Sequence, residues 1–359
     1  MFVGVDLHKK AAVYTAVDDQ GSILRRGEVT NTLRGWREFA GLFPPGAEVA
    51  LEPCVNWGQV CEVLEGYGFR PALANSKRVR MIAESRSKTD SIDSEILAQL
   101  LRTRYLPLVH IPSRWARDAR ELVSYRATLG HRNTELKSRV HSILAKQWVE
   151  VPTPLFYGPG LTFLETVQLA SLSRRMLDGH LEQLRVVGEE VTRCQALMAQ
   201  RAQEDERVLR LMEIRGFDYY TALILISWID DIHRFPDWRK LASYFGLVPS
   251  TRSSAEKAYH GHITKEGPAL ARWALVESVR YVTSENPKLR RALGIIGKRR
   301  GAGIGRVAVA RRLVRIIYRM LKDGTHYEYL TEKTYRRKLR EMEVEARRFQ
   351  LPSENASRS

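Results

Sequence analysis

Residues Ser87–Leu101 read SKTDSIDSEILAQLL, and the rest of the chain is read outward from them. The stretch predicts a helix. Thr89 is placed to cap it, acidic residues fill the first turns, and Ile92, Ile96, Leu97, Leu100 and Leu101 form an apolar stripe. Asp90 and Asp93 are three residues apart, so a helix carries both carboxylates on one face. Two like charges that close destabilise a helix unless something positive lies between them. A hard divalent cation such as Mg²⁺, which takes oxygen ligands, is one candidate. A solvated acidic first turn that favours the helix dipole is the other.

The 359 residues suffice for about two or three domains, and a hydrophobic content of 44% supports a sizeable core. Lys and Arg number 58 against 41 Asp and Glu, a net charge of +17. That excess calls for a polyanion. With no long apolar run in the chain, nucleic acid fits better than a membrane surface. The N-terminus goes straight into a strand-like FVGVDL, unlike a secretory leader. Cys54, Cys61 and Cys194 have neither zinc spacing nor the pattern of a disulfide framework, which points to a reducing cytoplasm.

Upstream of the quoted stretch, Phe2–Asp6, Ala11–Val17 and Ile23–Thr30 read as three strands with short links, an antiparallel meander. Leu33–Leu42 predicts a helix with Leu33, Trp36, Phe39 and Ala40 inward, broken by Pro44-Pro45-Gly46. Strand Glu48–Leu51, helix Trp57–Tyr67, strand Arg70–Ala74 and basic helix Lys77–Glu84 follow. The order βββαβαβα predicts an α/β domain with a mixed sheet. Asp6 and Glu52 fall at the C-terminal ends of strands, where α/β folds place ligand chemistry. Asp6, Glu52, Asp90 and Asp93 together, in so basic a chain, point to a metal site for phosphodiester chemistry.

Downstream, Pro107 and Pro112 close the first domain. Trp115–Trp148 and Leu164–Met212 are long amphipathic regions, the second with possible breaks at Gly179 or Gly188. A Pro/Gly turn between them suggests an antiparallel helical hairpin, serving either dimerisation or as an intrachain spacer. Leu211–Ala222 resembles a helix-hairpin-helix, whose turn amides can hold a phosphate; a plain tight turn is the other reading. Residues 245–267 form a polar, Ser-rich segment expected to be a loop, with Arg252, Lys257 and Lys265 ringing a phosphate. Arg272–Thr283 predicts a helix with Trp273, Leu275, Val276 and Val279 in the core. Between Lys288 and Lys322 there are twelve basic residues and no acid, which favours a polyanion partner. Gly297–Gly305, with Lys298, Arg299 and Arg300, reads as a flexible basic linker before the amphipathic helix Val307–Leu321. Glu332–Ser359 reads as a loosely ordered charged tail.

These motifs resemble a known family. GVDLHKK (Asp6), LEP (Glu52) and KTDSIDSEILAQLL (Asp90, Asp93) look like the ribonuclease-H-like fold and its Holliday-junction-resolvase-like DEDD group. The form KTD-x-x-D followed by an aliphatic helix is similar to the transposases of the bacterial insertion-sequence one-ten family, with Ser94 where that family usually has Ala. GLVPxxxxS followed by G-x-I-T-K-x-G resembles the family's C-terminal domain, whose serine joins DNA covalently. Counting from Pro249 and from Ile263 places Ser254 at that serine, with Ser253 as second choice and Ala255 where the family has Gly.

The resemblance spans Phe2 to about Tyr327. It implies an N-terminal RuvC-like mixed sheet (1–110), a helical coiled-coil hairpin (111–205), a mostly helical transposase domain with the serine loop (206–330) and a charged tail (331–359). It also implies a Mg²⁺-dependent recombinase working through a phosphoserine intermediate. A bridge RNA would pair with target and donor DNA, and the protein would act as a dimer or tetramer at the bacterial nucleoid. The alternative is a metal-dependent, structure-specific nuclease acting by hydrolysis. A non-catalytic nucleic-acid-binding protein is a third reading.

Overall fold

Apolar, β-branched runs make strands of Phe2–Leu7 (β1) and Ala11–Val17 (β2), both buried nearly throughout, and with the largely exposed Ile23–Thr30 (β3) they pair antiparallel in sequence. The computed structural model describes residues 1–82, 90–254 and 257–350; the side chains of residues 90–91, 251–254 and 257–260 lie outside that description. Packing divides the chain into two units, Met1–Pro112 and Ser113–Ser359, each described by itself.

In the first unit, helix Leu33–Ala40 (α1) is capped by Thr32, whose hydroxyl accepts from Gly35 N. Trp36, Phe39 and Ala40 are buried as expected, but Leu33 is 55% exposed: it stands in the first turn of the helix, beyond the reach of the sheet. Strand Glu48–Leu51 (β4) joins β1 in parallel, helix Trp57–Gly66 (α2) follows, and Arg70–Ala74 (β5) joins β4 in parallel. Helix Ser76–Ile82 (α3) starts one residue before the expected Lys77, and its expected end at Glu84 lies outside the described residues, as does the proposed cap Thr89. Helix Asp90–Arg102 (α4) and the two-residue strand Leu108–Val109 (β6), antiparallel to β5, complete a mixed sheet of order β3-β2-β1-β4-β5-β6. Val3, Val5, Val49 and Leu51 pack on one face under α1 and α2, whereas Ala50 packs on the other face with Leu97 and Leu101 of α4.

The second unit opens with helix Arg114–Lys146 (α5). After helix Pro159–Thr166 (α6) comes Ser171–Gln203 (α7), which runs unbroken through Gly179 and Gly188. The interruption of the expected long region lies instead at residues 167–170 and 204–205. Asp118–Arg201 at 3.5 Å, Leu122–Cys194 at 3.8 Å and Tyr125–Glu190 at 3.2 Å show α5 and α7 antiparallel. Helices Glu206–Met212 (α8), Tyr219–Ile229 (α9) and Trp238–Tyr244 (α10) follow. α9 is apolar almost all round and buried almost throughout, so the other helices pack around it. A hairpin, Pro249–Ser254 (β7) and Lys257–Ile263 (β8), precedes helices Ala269–Glu285 (α11), Pro287–Arg300 (α12) and Ala302–Lys322 (α13). Leu275 and Val279 enter the core, but Trp273 is 52% exposed, since its position in α11 turns it from the buried stripe.

Two expectations are corrected here. Gly297–Gly305 is no flexible linker: α12 and α13 meet with Gly301 alone between them, at φ +93°. A Cβ on Gly305 would lie 3.2 Å from Gly297 Cα, so these glycines let two helix backbones approach. Nor is the first part of the charged end loose, while residues 351–359 lie outside the described residues. Glu332–Ala346 (α14) is a helix whose Met342 and Ala346 are buried, and whose Lys338 Nζ donates to Met212 and Ile214 carbonyls at 2.7 and 2.8 Å. Burial pushes that lysine's pKa down to about 8.

None of the three cysteines is in a disulfide. Cys61 and Cys194 are buried, and burial lifts the Cys194 thiol to about 11, whereas Cys54 is partly exposed. Titration with a bulky thiol reagent is therefore expected to find one fast-reacting group in the native chain, Cys54, and three after denaturation. A native reading of two or three would mean that a core opens.

Candidate active site

The first cluster of chemistry-bearing residues sits at one sheet edge. β1 and β4 are in register through Val5 and Leu51, so Asp6 and Glu52 occupy the next step of neighbouring parallel strands, and Glu52 N donates to Val5 O at 3.2 Å. The direction of α4 is set by its contacts. Ser94 lies over Gly4 and bonds Thr15, Glu95 pairs with Arg26, and Gln99 Nε2 donates to Gly21 O at 2.8 Å. Arg102 reaches Asp19 O at 3.3 Å. Asp19 and Gly21 belong to the β2–β3 turn, at the far end of β1 from Asp6. α4 thus runs antiparallel to β1, and its first turn, with Asp90 and Asp93, lies at the Asp6–Glu52 end. The topology brings all four residues to one edge.

Gly4 permits this arrangement. A Cβ there would lie 2.0 Å from Ser94 O and 2.4 Å from Ala98 N, both helix backbone. Ser94 itself is fully buried, its hydroxyl 2.8 Å from that of Thr15. A buried hydroxyl with a partner costs little, which accounts for Ser where an Ala was expected.

Asp6 is 6% exposed, and its Oδ2 lies 3.1 Å from Nε2 of the half-exposed His8. His8 was not singled out from the sequence; its position two residues after Asp6, on the same side of an extended chain, was the available signal. The loop carrying it is braced. Asn31 Nδ2 donates to His8 O at 2.7 Å, and the Asn31 and Asn56 amides bond each other at 3.0 and 2.7 Å. Trp36 Nε1 also donates to Asn31 Oδ1 at 2.9 Å. Asn56 belongs to the loop after Glu52 and Asn31 follows β3, so Asn31, bonded to both His8 O and Asn56, links the loops that follow Asp6 and Glu52. Periodicity holds no trace of such a pair.

Among the described residues no three Asp, Glu, His or Cys side chains converge tightly enough to hold a metal ion. The Asp90 side chain lies outside them, and Asp93 is partly buried. The four residues at this shared edge are all carboxylates, the ligand type that a hard, oxygen-seeking divalent ion takes.

The second cluster lies in the other unit. The Ser-rich segment expected as a loop is the β7–β8 hairpin, since pairing satisfies its backbone amides and carbonyls. Ser254 pairs with Lys257 and Arg252 with Tyr259, so Ser254 is the last paired residue of β7. The side chains of Ser253, Ser254, Arg252 and Lys257 lie outside the described residues. The hairpin base is tightly held. Ser250 Oγ donates to His262 O at 3.1 Å, and Thr264 N to Val248 O at 2.9 Å. Gly246 and Gly267 both have positive φ, +66° and +72°, and a Cβ on either would meet backbone oxygens at 2.3 and 1.9 Å. Arg272 Nη1 donates to the Phe245 and Glu266 carbonyls at 3.1 and 3.0 Å, and burial lowers its pKa. Lys265 is exposed beside this base, at φ +53°.

Lys298, Arg299 and Arg300 are exposed in the last turn of α12, where cations also favour the helix dipole. The Gly216 turn between α8 and α9 is not an open phosphate cradle. The Asp218 carboxylate caps α9, accepting from Thr221 N at 2.8 Å, so an acid already occupies that helix end. No described helix is long and apolar enough to cross a membrane.

Comparison with known proteins adds two matches in chain order. A family model for transposases, named for the DEDD motif and for IS110, matches residues 3–148, and one described as the transposase IS116/IS110/IS902 family matches residues 208–293. The chain is 24% identical to the transposase for insertion sequence element IS1111A of Coxiella burnetii, over 90% of both chains. It is 23% identical to a probable family 20 transposase of Pseudomonas aeruginosa, over 90% of this chain and 98% of that one. It is also 23% identical to the transposase for insertion sequence element IS1328 of Yersinia enterocolitica, over 90% and 97%.

Proposed function

We propose that this chain, which belongs to the IS110 family of transposases, recombines DNA through a covalent phosphoserine link on Ser254. The observation that carries the reading is the position of Ser254 at the end of a hairpin whose base is pinned by Gly246, Gly267 and Arg272. A nucleophile held out from a rigid base can reach a phosphodiester on a DNA surface. In the reaction the serine oxygen attacks phosphorus, the bond to the 3′ oxygen breaks, and the leaving oxygen takes up a proton as a free 3′-hydroxyl. The hydroxyl proton of Ser254 passes to a base. Phosphodiester energy is kept in the new bond, so rejoining needs no ATP.

The first unit we read as ribonuclease-H-like and RuvC-like; its antiparallel meander continued by parallel strands supports this. Asp6, Glu52, Asp90 and Asp93 would hold Mg²⁺, which when bound polarises a phosphate oxygen. The buried position of Asp6 keeps bulk water from its carboxylate, and the Asn31–Asn56 pair keeps its loop in register with that of Glu52. Arg252, Lys257, Lys265, Lys298, Arg299 and Arg300 would hold nucleic-acid backbone. A bridge RNA pairing with target and donor DNA would supply sequence choice, and two duplexes call for a dimer or tetramer.

The test is adduct trapping. Protein, the structured RNA of the flanking element, target and donor DNA and Mg²⁺ are incubated and run on a denaturing gel. DNA shifted by one protein mass is expected with wild type and Ser253→Ala, and none with Ser254→Ala. Cleaved DNA without an adduct, unaffected by Ser254→Ala, would replace this mechanism with hydrolysis by a metal-dependent nuclease.

A further inference from the structure

The chain's arginines are of two kinds. Along α5, α7 and α14 many are neutralised by a carboxylate one helical turn away: Arg139 with Glu135, Arg193 with Glu190, and Arg185 with both Glu182 and Glu189. On α10 and α13 they are not. Arg239, Arg311 and Arg315 gather round the ring of Trp238, 5.1, 5.7 and 5.9 Å from its centroid. Among the described residues none of the three has a carboxylate partner. The acid nearest Arg239 in sequence, Asp237, caps α10, where it accepts from Arg239 N at 2.6 Å and Lys240 N at 3.1 Å, and the acid nearest Arg311 and Arg315, Asp323, lies past the last turn of α13. Arg312 and Arg319 are exposed on α13, three residues before and four after Arg315, so the three form one row along the helix. The platform is firm, since the Tyr318 hydroxyl donates to the Phe235 and Pro236 carbonyls just before α10 at 3.1 and 3.0 Å.

We infer that the α10–α13 face, with Trp238 at its centre and Arg312, Arg315 and Arg319 in line, is a docking surface for the sugar-phosphate backbone of duplex DNA. Like charges held this close without acids repel one another until anions enter between them. Neighbouring cations in the row stand roughly 5 Å apart along the helix axis. One straight row with a single aromatic suits a continuous backbone better than splayed bases, which single-strand readers stack on several rings. This commits the surface to duplex DNA and rests on the reading of the chain as a DNA recombinase. Composition showed the excess charge, and pairing shows where it is left unspent.

The test is fluorescence anisotropy of full-length protein on a labelled random-sequence duplex, across a series of salt concentrations. Replacing Arg312, Arg315 and Arg319 together by Gln is expected to weaken binding and to reduce the slope of log K against log salt by about 2 to 3, near 0.9 per phosphate contact. The three Lys replacements keep the charge and are expected to restore the slope, and Arg139→Gln with Arg185→Gln to leave it unchanged. Where the triple variant melts early, Arg315→Gln alone, expected to lose about 1 from the slope, carries the test. An unchanged slope would overturn the inference, and so would a loss seen only with structured RNA. A wild-type protein that binds duplex with full slope yet forms no adduct counts against the serine chemistry and not against this surface.

Discussion

Asp6→Asn is expected to leave the protein folded and bound to DNA, and to lower the rate of strand cleavage by about 10³-fold. Asn matches Asp in size, so the packing around this 6%-exposed position is kept. What is lost is one negative charge at the edge shared with Glu52 and the start of α4, where an amide gives a cation one oxygen and a repelling NH₂ group. The Oδ2 contact with the half-exposed His8 is one ion pair that the substitution weakens, and a pair with so exposed a partner contributes about 1 kcal/mol or less. Three readouts separate the roles: rate of adduct formation, anisotropy on duplex DNA, and thermal melting. Full activity would remove Asp6 from the chemistry. A large drop in melting temperature would make it a structural residue.

Gly4→Ala is expected to destabilise the first unit by about 3 kcal/mol or more. The added carbon would meet Ser94 O at 2.0 Å and Ala98 N at 2.4 Å. Both are backbone atoms of α4, so no rotamer change relieves the clash. The helix must lift from the sheet, which breaks the buried Thr15–Ser94 hydroxyl pair and exposes Leu97 and Leu101. It also carries Asp90 and Asp93 away from Asp6, so activity is expected to fall with stability. For a unit of this size the melting temperature should drop by at least about 10 °C. Gly66→Ala is the control: a Cβ there meets nothing within 4 Å, and no loss is expected. A Gly4→Ala protein melting like wild type would show that α4 does not rest on β1 as described.

The strands of the meander were legible because β1 and β2 are apolar, β-branched runs, buried nearly throughout and joined by short links. β6 was not, since two residues between prolines show no period, and only its pairing with β5 makes it a strand. The glycines at 297 and 305 were misread because Gly serves flexibility and close approach equally well, and a backbone 3.2 Å away decides between them. In α14 the density of charge argues for disorder from sequence alone. Its acids and bases are instead matched at helical spacing, Arg336 with Glu332 and Arg337 with Glu341, while a thin apolar stripe ends in buried Met342 and Ala346.

By itself the order of residues determined the mixed sheet, the long helices, the polyanion partner and the names of the candidate carboxylates and serine. These follow from local periodicity, net charge and motif spacing, all of which are properties of neighbours along the chain. Only tertiary structure decided that α4 runs antiparallel to β1, which sets Asp90 and Asp93 at the Asp6–Glu52 edge. It decided that the Ser254 segment is a hairpin with a pinned base, and that, among the described residues, Arg239, Arg311 and Arg315 of α10 and α13 lack the carboxylate partners that several arginines of α5 and α7 have. Direction, apposition and pairing depend on residues tens of positions apart, and contact between them exists only once the chain has folded.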